Sequence, residues 1–392
     1  MRLLYTVLIH ISGWFIRAAA LFDTKLSRWV AGRRHFPVFP EHDQAAPVCW
    51  IHCASAGEFE QAIPLVKKFK EKEKMTIVIS FFSPSGFDMY SGTEYADFYI
   101  YLPIDTPKNA RNLIKQINPT IVIFIRNELW INLLTELKKN NIPTFLVNSY
   151  YYKRSNIIYM LYLKKAYSLF NKIFEINTYG STKLDQIFAN KTIEFNDHIL
   201  NDFCKDSFVI IVGSSWAQEE QYIAKYFNKY KNINPSLKII IAPHENQYIN
   251  EKDWIINYGE AISYYTNYTE YSKRRILLID KKGILKYVYR YSNIAIIGGG
   301  FGNGTHNILE ASIYYIPTIF GPNYLNNEQA CDLINIKTAF TVRNYNEFET
   351  ILNKICNNEL YLKYTRKKLK EYFSRQSHVA EKIYNIIKLK YL

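Results

Sequence analysis

The sequence predicts an α/β protein made of two doubly wound, Rossmann-like domains with parallel sheets, preceded by an apolar N-terminal helix. Three observations carry this expectation. From Val48 onward, short β-branched runs alternate with amphipathic stretches, the pattern of a parallel sheet with helices on its faces. The alternation lapses over 190–206 and restarts at Phe208. A chain of 392 residues is long enough for two cores. Its 48% hydrophobic and 21% charged content is that of a folded protein.

In the first half the expected strands are 48–53, 76–82, 98–102, 120–126, 143–148 and 172–176, with helices over 58–72, 106–117, 128–140 and 155–170. The polar stretch 190–206, ending N-D-F-C-K-D, is read as the linker. In the second half the strands are 208–212, 238–242, 262–265, 275–279, 293–297 and 317–320, and 347–391 reads as Lys- and Tyr-rich helices. The expected divisions are an N-terminal segment 1–35, a domain 36–203 and a domain 204–392. Two such sheets are expected to face each other across a cleft at the carboxyl ends of their strands, where ligands bind sheets of this kind.

The first 22 residues are strongly apolar but interrupted by His10 and Arg17. No small-residue cleavage site follows, which argues against a secretory signal. A full membrane span would place Arg17 in hydrocarbon unless it snorkels. Trp14, Phe15 and Trp29, with Arg17, Lys25, Arg28, Arg33 and Arg34, favour a helix lying in or dipping into a membrane interface. An apolar helix docked on the protein's own core is the alternative.

A net charge of +14 implies an anionic partner, whether nucleic acid, anionic lipid or phosphorylated substrate. No basic patch interleaved with aromatics matches a nucleic-acid module. The five cysteines, at 49, 53, 204, 331 and 356, are odd in number and lack C-x-x-C. This suits a reducing compartment, with neither a disulfide framework nor a zinc site.

Residues 294–310, I-A-I-I-G-G-G-F-G-N-G-T-H-N-I-L-E, place five glycines within seven residues after a β-branched run. Glycine lets backbone N–H groups crowd toward a ligand, and a following helix start adds donors of its own. Gly300 belongs to this loop, and Thr305, Asn307 and Glu310 follow it. No G-x-G-x-x-G threads through 298–307, and Thr305 stands where a Walker loop needs lysine. Asn307 and Glu310, three apart, share a helix face and suit a nucleotide's ribose. Tight packing of an αβ turn is the alternative.

Five other turns follow strands. In S-A-G-E, 55–58, Glu58 can stabilise its helix or take a proton from an acceptor hydroxyl. In S-P-S-G, 83–86, Ser83, Ser85 and Gly86 suit a phosphate or sugar, or ordinary N-capping. In I-R-N-E-L-W, 125–130, Arg126 and Glu128 either face the cleft or pair locally. Gly213, Ser214 and Ser215 of V-G-S-S-W offer another phosphate cradle, and His244 of I-A-P-H-E ends a strand.

Together these stretches resemble the 3-deoxy-D-manno-octulosonic acid (Kdo) transferases. The ordered set includes S-A-G-E at 55–58, S-P-S-G at 83–86, Y-L-P-I-D at 101–105 and N-E-L-W at 127–130. It continues with G-S-S at 213–215, A-P-H-E at 242–245, G-I-L at 283–285, G-G-G-F-G-N-G-T-H-N-I-L-E at 298–310 and F-G-P-N at 320–323. The resemblance implies a GT-B glycosyltransferase at the cytoplasmic face of the inner membrane, acting in lipopolysaccharide synthesis. It would be inverting and metal-independent, need no cofactor, and move Kdo from CMP-Kdo to a phosphorylated lipid A precursor, lipid IVA. By position, Glu58 would be the general base and Glu128 would support the acceptor side. Glu310 would hold the CMP ribose, and Ser214, Ser215, His244, Gly283, Ile284, Thr305 and Asn307 would line the CMP site. An inverting displacement needs one base and electrostatic help for the departing phosphate, and no D-x-D occurs. The phosphorylated lipid acceptor then accounts for the positive charge and the N-terminal helix, and the expected partners include an anionic inner-membrane surface but no nucleic acid.

Three positions depart from the family pattern. Arg126 replaces an acidic residue common upstream of the E-L-W sequence, no arginine precedes His244, and Ile284 stands where glutamate is commoner. The rivals are another GT-B nucleotide-sugar transferase, such as one using a UDP-sugar, and an inactive basic sugar- or lipid-binding protein on the same fold.

Overall fold

The computed structural model describes residues 2–34, 46–150, 157–244, 257–258, 262–269, 274–325, 327–376 and 378–392. The chain divides into two units, Met1–Gln186 with His378–Leu392, and Ile187–Ser377.

In the first unit the elements follow as α1 (Arg2–Ala19), α2 (Thr24–Ala31), β1 (Val48–Cys53), α3 (Ala56–Glu73), β2 (Thr76–Phe81), α4 (Pro84–Tyr90) and β3 (Phe98–Tyr101). Next come α5 (Pro107–Ile117), β4 (Ile121–Ile125), α6 (Ile131–Lys139), β5 (Thr144–Ser149), α7 (Ile157–Tyr167), β6 (Lys172–Glu175), α8 (Ile176–Tyr179) and α9 (Thr182–Thr192). The sheet order is β3-β2-β1-β4-β5-β6, with parallel pairing throughout. Strands buried on both faces must be apolar along their length, and V-C-W-I-H-C of β1 and I-V-I-F-I of β4 are fully buried. Alternate side chains enter opposite cores. Cys49, Ile51 and Cys53 join Phe59 and Phe69 of α3, whereas Val48 and Trp50 join Leu113 of α5 and Leu134 of α6.

The final helix, Val379–Tyr391, belongs to this first unit, not to the second domain expected over 204–392. It buries Val379, Ala380, Ile383, Tyr384 and Ile387, and Tyr384 packs against Phe69 at 5.5 Å between ring centroids. Asp185 of α9 accepts the backbone N–H of His378 at 2.9 Å and of Val379 at 3.2 Å, so a carboxylate sits at the positive end of that helix. Contacts between residues nearly two hundred apart leave no local trace in sequence.

The expected linker at 190–206 is also corrected. Helix α9 runs to Thr192, and α10 (His198–Cys204) follows. Asp197 caps α10 by accepting from the N–H of Leu200 at 3.0 Å, and Leu200 and Phe203, three apart, supply its buried stripe. The boundary between units falls at Gln186/Ile187, earlier than the expected 203/204.

The second unit continues with β7 (Phe208–Ser215), α11 (Ala217–Tyr230), β8 (Leu237–Pro243), β9 (Ser263–Tyr264), β10 (Ile276–Leu278), α12 (Leu285–Val288) and β11 (Ile294–Ile297). It ends with α13 (Leu309–Ser312), β12 (Thr318–Phe320), α14 (Glu328–Asn335), β13 (Ala339–Thr341), α15 (Tyr345–Cys356) and α16 (Glu359–Ser374). Its sheet, order β13-β12-β11-β7-β8-β10-β9, is parallel too. Strand β13 is unforeseen in the sequence, being only three residues long. Of the expected helix 155–170, the first two residues lie outside the described ones; the observed helix is α7.

The N-terminal segment is part of the first unit. Arg2 pairs with Glu136 at 2.6 Å and donates to Asn132 Oδ1 at 2.9 Å, and the Tyr5 hydroxyl donates to Asp105 at 2.8 Å. Asp105, last residue of Y-L-P-I-D, also accepts the backbone N–H groups of Asn132 and Leu133, satisfying donors at the start of α6. Trp29 and Arg33, expected at a membrane interface, turn inward. Trp29 is buried, and the Arg33 guanidinium lies 3.8 Å over its ring while donating to the carbonyls of Trp29, Phe82 and Leu102. The opposite side of α1 leaves Leu3, Trp14 and Phe15 more than 70% exposed. Among the described residues no helix is long and apolar enough to cross a membrane.

Candidate active site

In each sheet most of the candidate residues follow strands beside the point where strand order reverses, the place at which an open parallel sheet presents a crevice. In the first sheet β1 lies between β2 and β4; in the second, β7 lies between β11 and β8.

Glu58 stands in the first turn of α3, directly after β1. Its carboxylate accepts the N–H of Ala54, a self-made cap. Half-buried, Glu58 is held above the ordinary carboxylate range first by burial and then by the charge of Glu128, with His52 and Arg126 acting the other way. Glu128, after β4, lies in a loop before α6 and not on a helix as expected. It accepts Trp130 Nε1–H at 2.9 Å and lies 3.5 Å from His52 Nε2. Arg126 is exposed, with a left-handed backbone (φ 63°), and its guanidinium lies 5.5 Å from the Tyr150 ring centre. His52 and Trp130 went unremarked in the sequence, though the inward face that β1 shares with Trp50 would have disclosed a buried imidazole.

The S-P-S-G turn makes an ordinary helix cap. Ser83 is the N-cap of α4, its hydroxyl 3.0 Å from that of Ser85 and its N–H bound to the carbonyl of Ala54 at 2.7 Å. Gly86 is buried because a Cβ there would lie 2.3 Å from the Phe81 ring.

In the second unit the glycine-rich loop is packed against backbone. A Cβ on Gly298 would fall 1.9 Å from the carbonyl oxygen of Ser214, and one on Gly300 would fall 2.5 Å from the N of Gly321. Several of its N–H groups are engaged internally. Gly298 donates to Gly213, Gly302 and Gly304 to Gly299, and His306 to Gly298. Gly299 donates to the buried carboxylate of Glu219 at 3.1 Å. Burial raises the pKa of Glu219, a residue with no motif to announce it. The expected open cradle of loop N–H groups is therefore largely a tight joint between strands β7 and β11.

What the joint positions is more telling. The hydroxyl Oγ1 of Thr305 and the amide Oδ1 of Asn307 are buried without a hydrogen-bond partner, a costly condition that a polar ligand relieves. Asn307 precedes α13, so it does not share a helix face with Glu310 as expected, but its amide still donates to Glu310 Oε1 at 2.7 Å. Ser214, half-buried, has a left-handed backbone (φ 51°). Ser215 is buried and donates to Glu220 at 2.6 Å, and Gly213 lies under the Tyr289 hydroxyl.

His244, exposed at the end of β8, stacks on His306 at 4.6 Å and on Trp216 at 4.8 Å, and Trp216 Nε1–H donates to His306 Nε2 at 3.2 Å. Burial and then His244 lower the pKa of His306. Neither Trp216 nor His306 was singled out in the sequence. Gly283 (φ 84°) and the buried Ile284 follow β10, two strands from β7.

The chain matches, over residues 30–199, the family described as 3-Deoxy-D-manno-octulosonic-acid transferase (kdotransferase). A 3-deoxy-D-manno-octulosonic acid transferase from Aquifex aeolicus is 28% identical over 317 residues, 79% of this chain and 86% of that protein. A protein of the same description from Haemophilus influenzae is 26% identical over 304 residues, 71% of each chain. A glycosyltransferase structure from Rickettsia africae superposes with a TM-score of 0.60 at 13% identity, covering 88% of this chain and 99% of that one. Two parallel-sheet, Rossmann-like units with candidate sites at their switch points, joined to these relatives, define a GT-B glycosyltransferase. The two α/β units alone leave the chemistry open. Over residues 30–199, and through relatives of the same description, the chain is similar to the 3-deoxy-D-manno-octulosonic-acid transferases.

Proposed function

We propose that this protein transfers Kdo from CMP-Kdo to the phosphorylated lipid A precursor lipid IVA during lipopolysaccharide synthesis, by an inverting displacement that needs no metal. The observation that carries the reading is Glu58, a half-buried carboxylate with raised pKa at the first sheet's switch point. As base, Glu58 takes the proton of the acceptor hydroxyl while that oxygen bonds to the anomeric carbon and the CMP phosphate departs. Glu128 supports the acceptor side. On the donor side Thr305 Oγ1 and Asn307 Oδ1 are the unpartnered acceptors, Glu310 meets the ribose, and Ser214 and His244 lie beside the phosphate.

The apolar side of α1, with Leu3, Trp14 and Phe15 exposed, supports docking at the cytoplasmic face of the inner membrane, where the lipid acceptor resides. Incubating the full chain with CMP-Kdo and lipid IVA should give a product heavier by whole Kdo residues in mass spectrometry. Thermal stabilisation by CMP but not by UMP or UDP should accompany it. Transfer from a UDP-sugar, with no transfer from CMP-Kdo, would overturn the assignment.

A further inference from the structure

His52 is the second-to-last residue of β1 and is completely buried. Both of its ring nitrogens are engaged, on opposite sides. Nδ1 lies 2.8 Å from Ser80 Oγ and 3.1 Å from the Ser80 carbonyl oxygen, and Ser80 Oγ accepts Trp50 Nε1–H at 2.8 Å. Nε2 accepts Trp130 Nε1–H at 3.1 Å, and the same N–H reaches Glu128 Oε2 at 2.9 Å. A carbonyl can only accept, so a neutral imidazole with its proton on Nδ1 satisfies every one of these contacts. A second proton, on Nε2, would face the Glu128 carboxylate 3.5 Å away and end the bond from Trp130, leaving that indole N–H to Glu128 alone.

Of the charged and titratable groups nearby, Glu128 from the loop after β4 faces this imidazole and Glu58 from α3 feels its charge, while Arg126 and Cys53 interact with Glu58. Strand β2 contributes Ser80, and Phe124 and Trp130 lie steeply inclined to the ring, with centroids 5.7 and 6.1 Å away. We propose that His52 is a positioning residue for the Glu58–Glu128 pair: it fixes the Glu128 carboxylate at the shared indole N–H and offsets the repulsion that Glu128 exerts on Glu58. The inference rests on Glu58 being the base.

The test is the pH profile of kcat for Kdo transfer by the full chain. His52→Asn keeps an amide N–H toward Ser80 but loses the link to Glu128, whereas His52→Gln does the reverse. In His52→Asn the acid limb moves to higher pH by about half a unit, so the rate below the limb falls roughly threefold while the rate well above it stays within about twofold. KM for both substrates and CMP affinity stay unchanged, and His52→Gln restores the parental limb. In a Glu128→Gln background His52→Asn shifts nothing further.

An unmoved limb, or a uniform loss at every pH, in folded His52→Asn overturns the proposal. If that variant does not fold, Glu128→Gln decides alone: its limb must move to lower pH, and an unmoved one overturns the proposal. Glu58→Gln separates this from the parent reading. Retained transfer with its acid limb in Glu58→Gln removes Glu58 as base, whereas its inactivity beside an unmoved His52→Asn limb removes only the role of His52.

Discussion

The two switch points solve opposite problems. Around Glu58 the polar groups hold one another: Ala54 N–H caps Glu58, Trp130 holds Glu128, and Ser80, itself bound by Trp50, holds His52. Around Asn307 the backbone is fixed by glycines in close contact, while Thr305 Oγ1 and Asn307 Oδ1 lack partners. A satisfied, partly buried carboxylate cluster is ready to move protons. An under-satisfied one is ready to bind. In the proposed function, chemistry and donor recognition therefore fall on different sheets.

Breaking the first site should have the largest effect. Glu58→Gln should lower transfer by about 10²–10⁴-fold, measured as kcat with saturating donor and acceptor. CMP should bind it as before, which separates loss of the base from loss of the fold. Because burial and Glu128 raise the pKa of Glu58, the base form exists only above that raised value. Activity should therefore fall, as pH drops, at a midpoint above that of an ordinary glutamate.

The second site should fail in two distinguishable ways. Gly298→Ala drives a methyl group into the Ser214 carbonyl and should destabilise the protein by about 2–3 kcal/mol, lowering Tm by roughly 5–10 °C in a thermal melt. Asn307→Ala should weaken CMP binding about tenfold or more by calorimetry, with a stability change of only about 1 kcal/mol, because it deletes an unpartnered buried acceptor together with a single hydrogen bond to Glu310. A large stability loss in Asn307→Ala would mean that the amide serves the fold and not a ligand.

The smallest effect lies outside both sites. Replacing exposed Trp14 and Phe15 by Ser should reduce sedimentation with anionic vesicles about tenfold each, leaving turnover on a detergent-dispersed acceptor unchanged.

The strands were legible because a strand buried on both faces has to be a short apolar run, and V-C-W-I-H-C and I-V-I-F-I announce themselves. Glu58 was legible because a carboxylate directly after such a run has few places to go. The glycine loop was legible as a special turn, but not as a joint: only the neighbouring backbones of Ser214 and Gly321 show what the missing Cβ atoms avoid. His52, Trp216 and Glu219 were hidden for a different reason. Each works through partners distant in sequence, such as Glu219 on Gly299 and Trp216 on His306. Helix α10 was hidden by its polar setting, which outweighed two buried apolar positions.

The return of the final helix to the first unit also sets an order of events during synthesis. The cluster of Phe69 and its neighbours on α3 takes Tyr384 and Ile383 as part of its wall, yet that wall leaves the ribosome only after the whole of Ile187–Ser377. The unit translated first is therefore the one finished last, and it waits with one apolar side uncovered while its neighbour is made. A stalled or clipped C-terminus should injure the half of the molecule that carries Glu58.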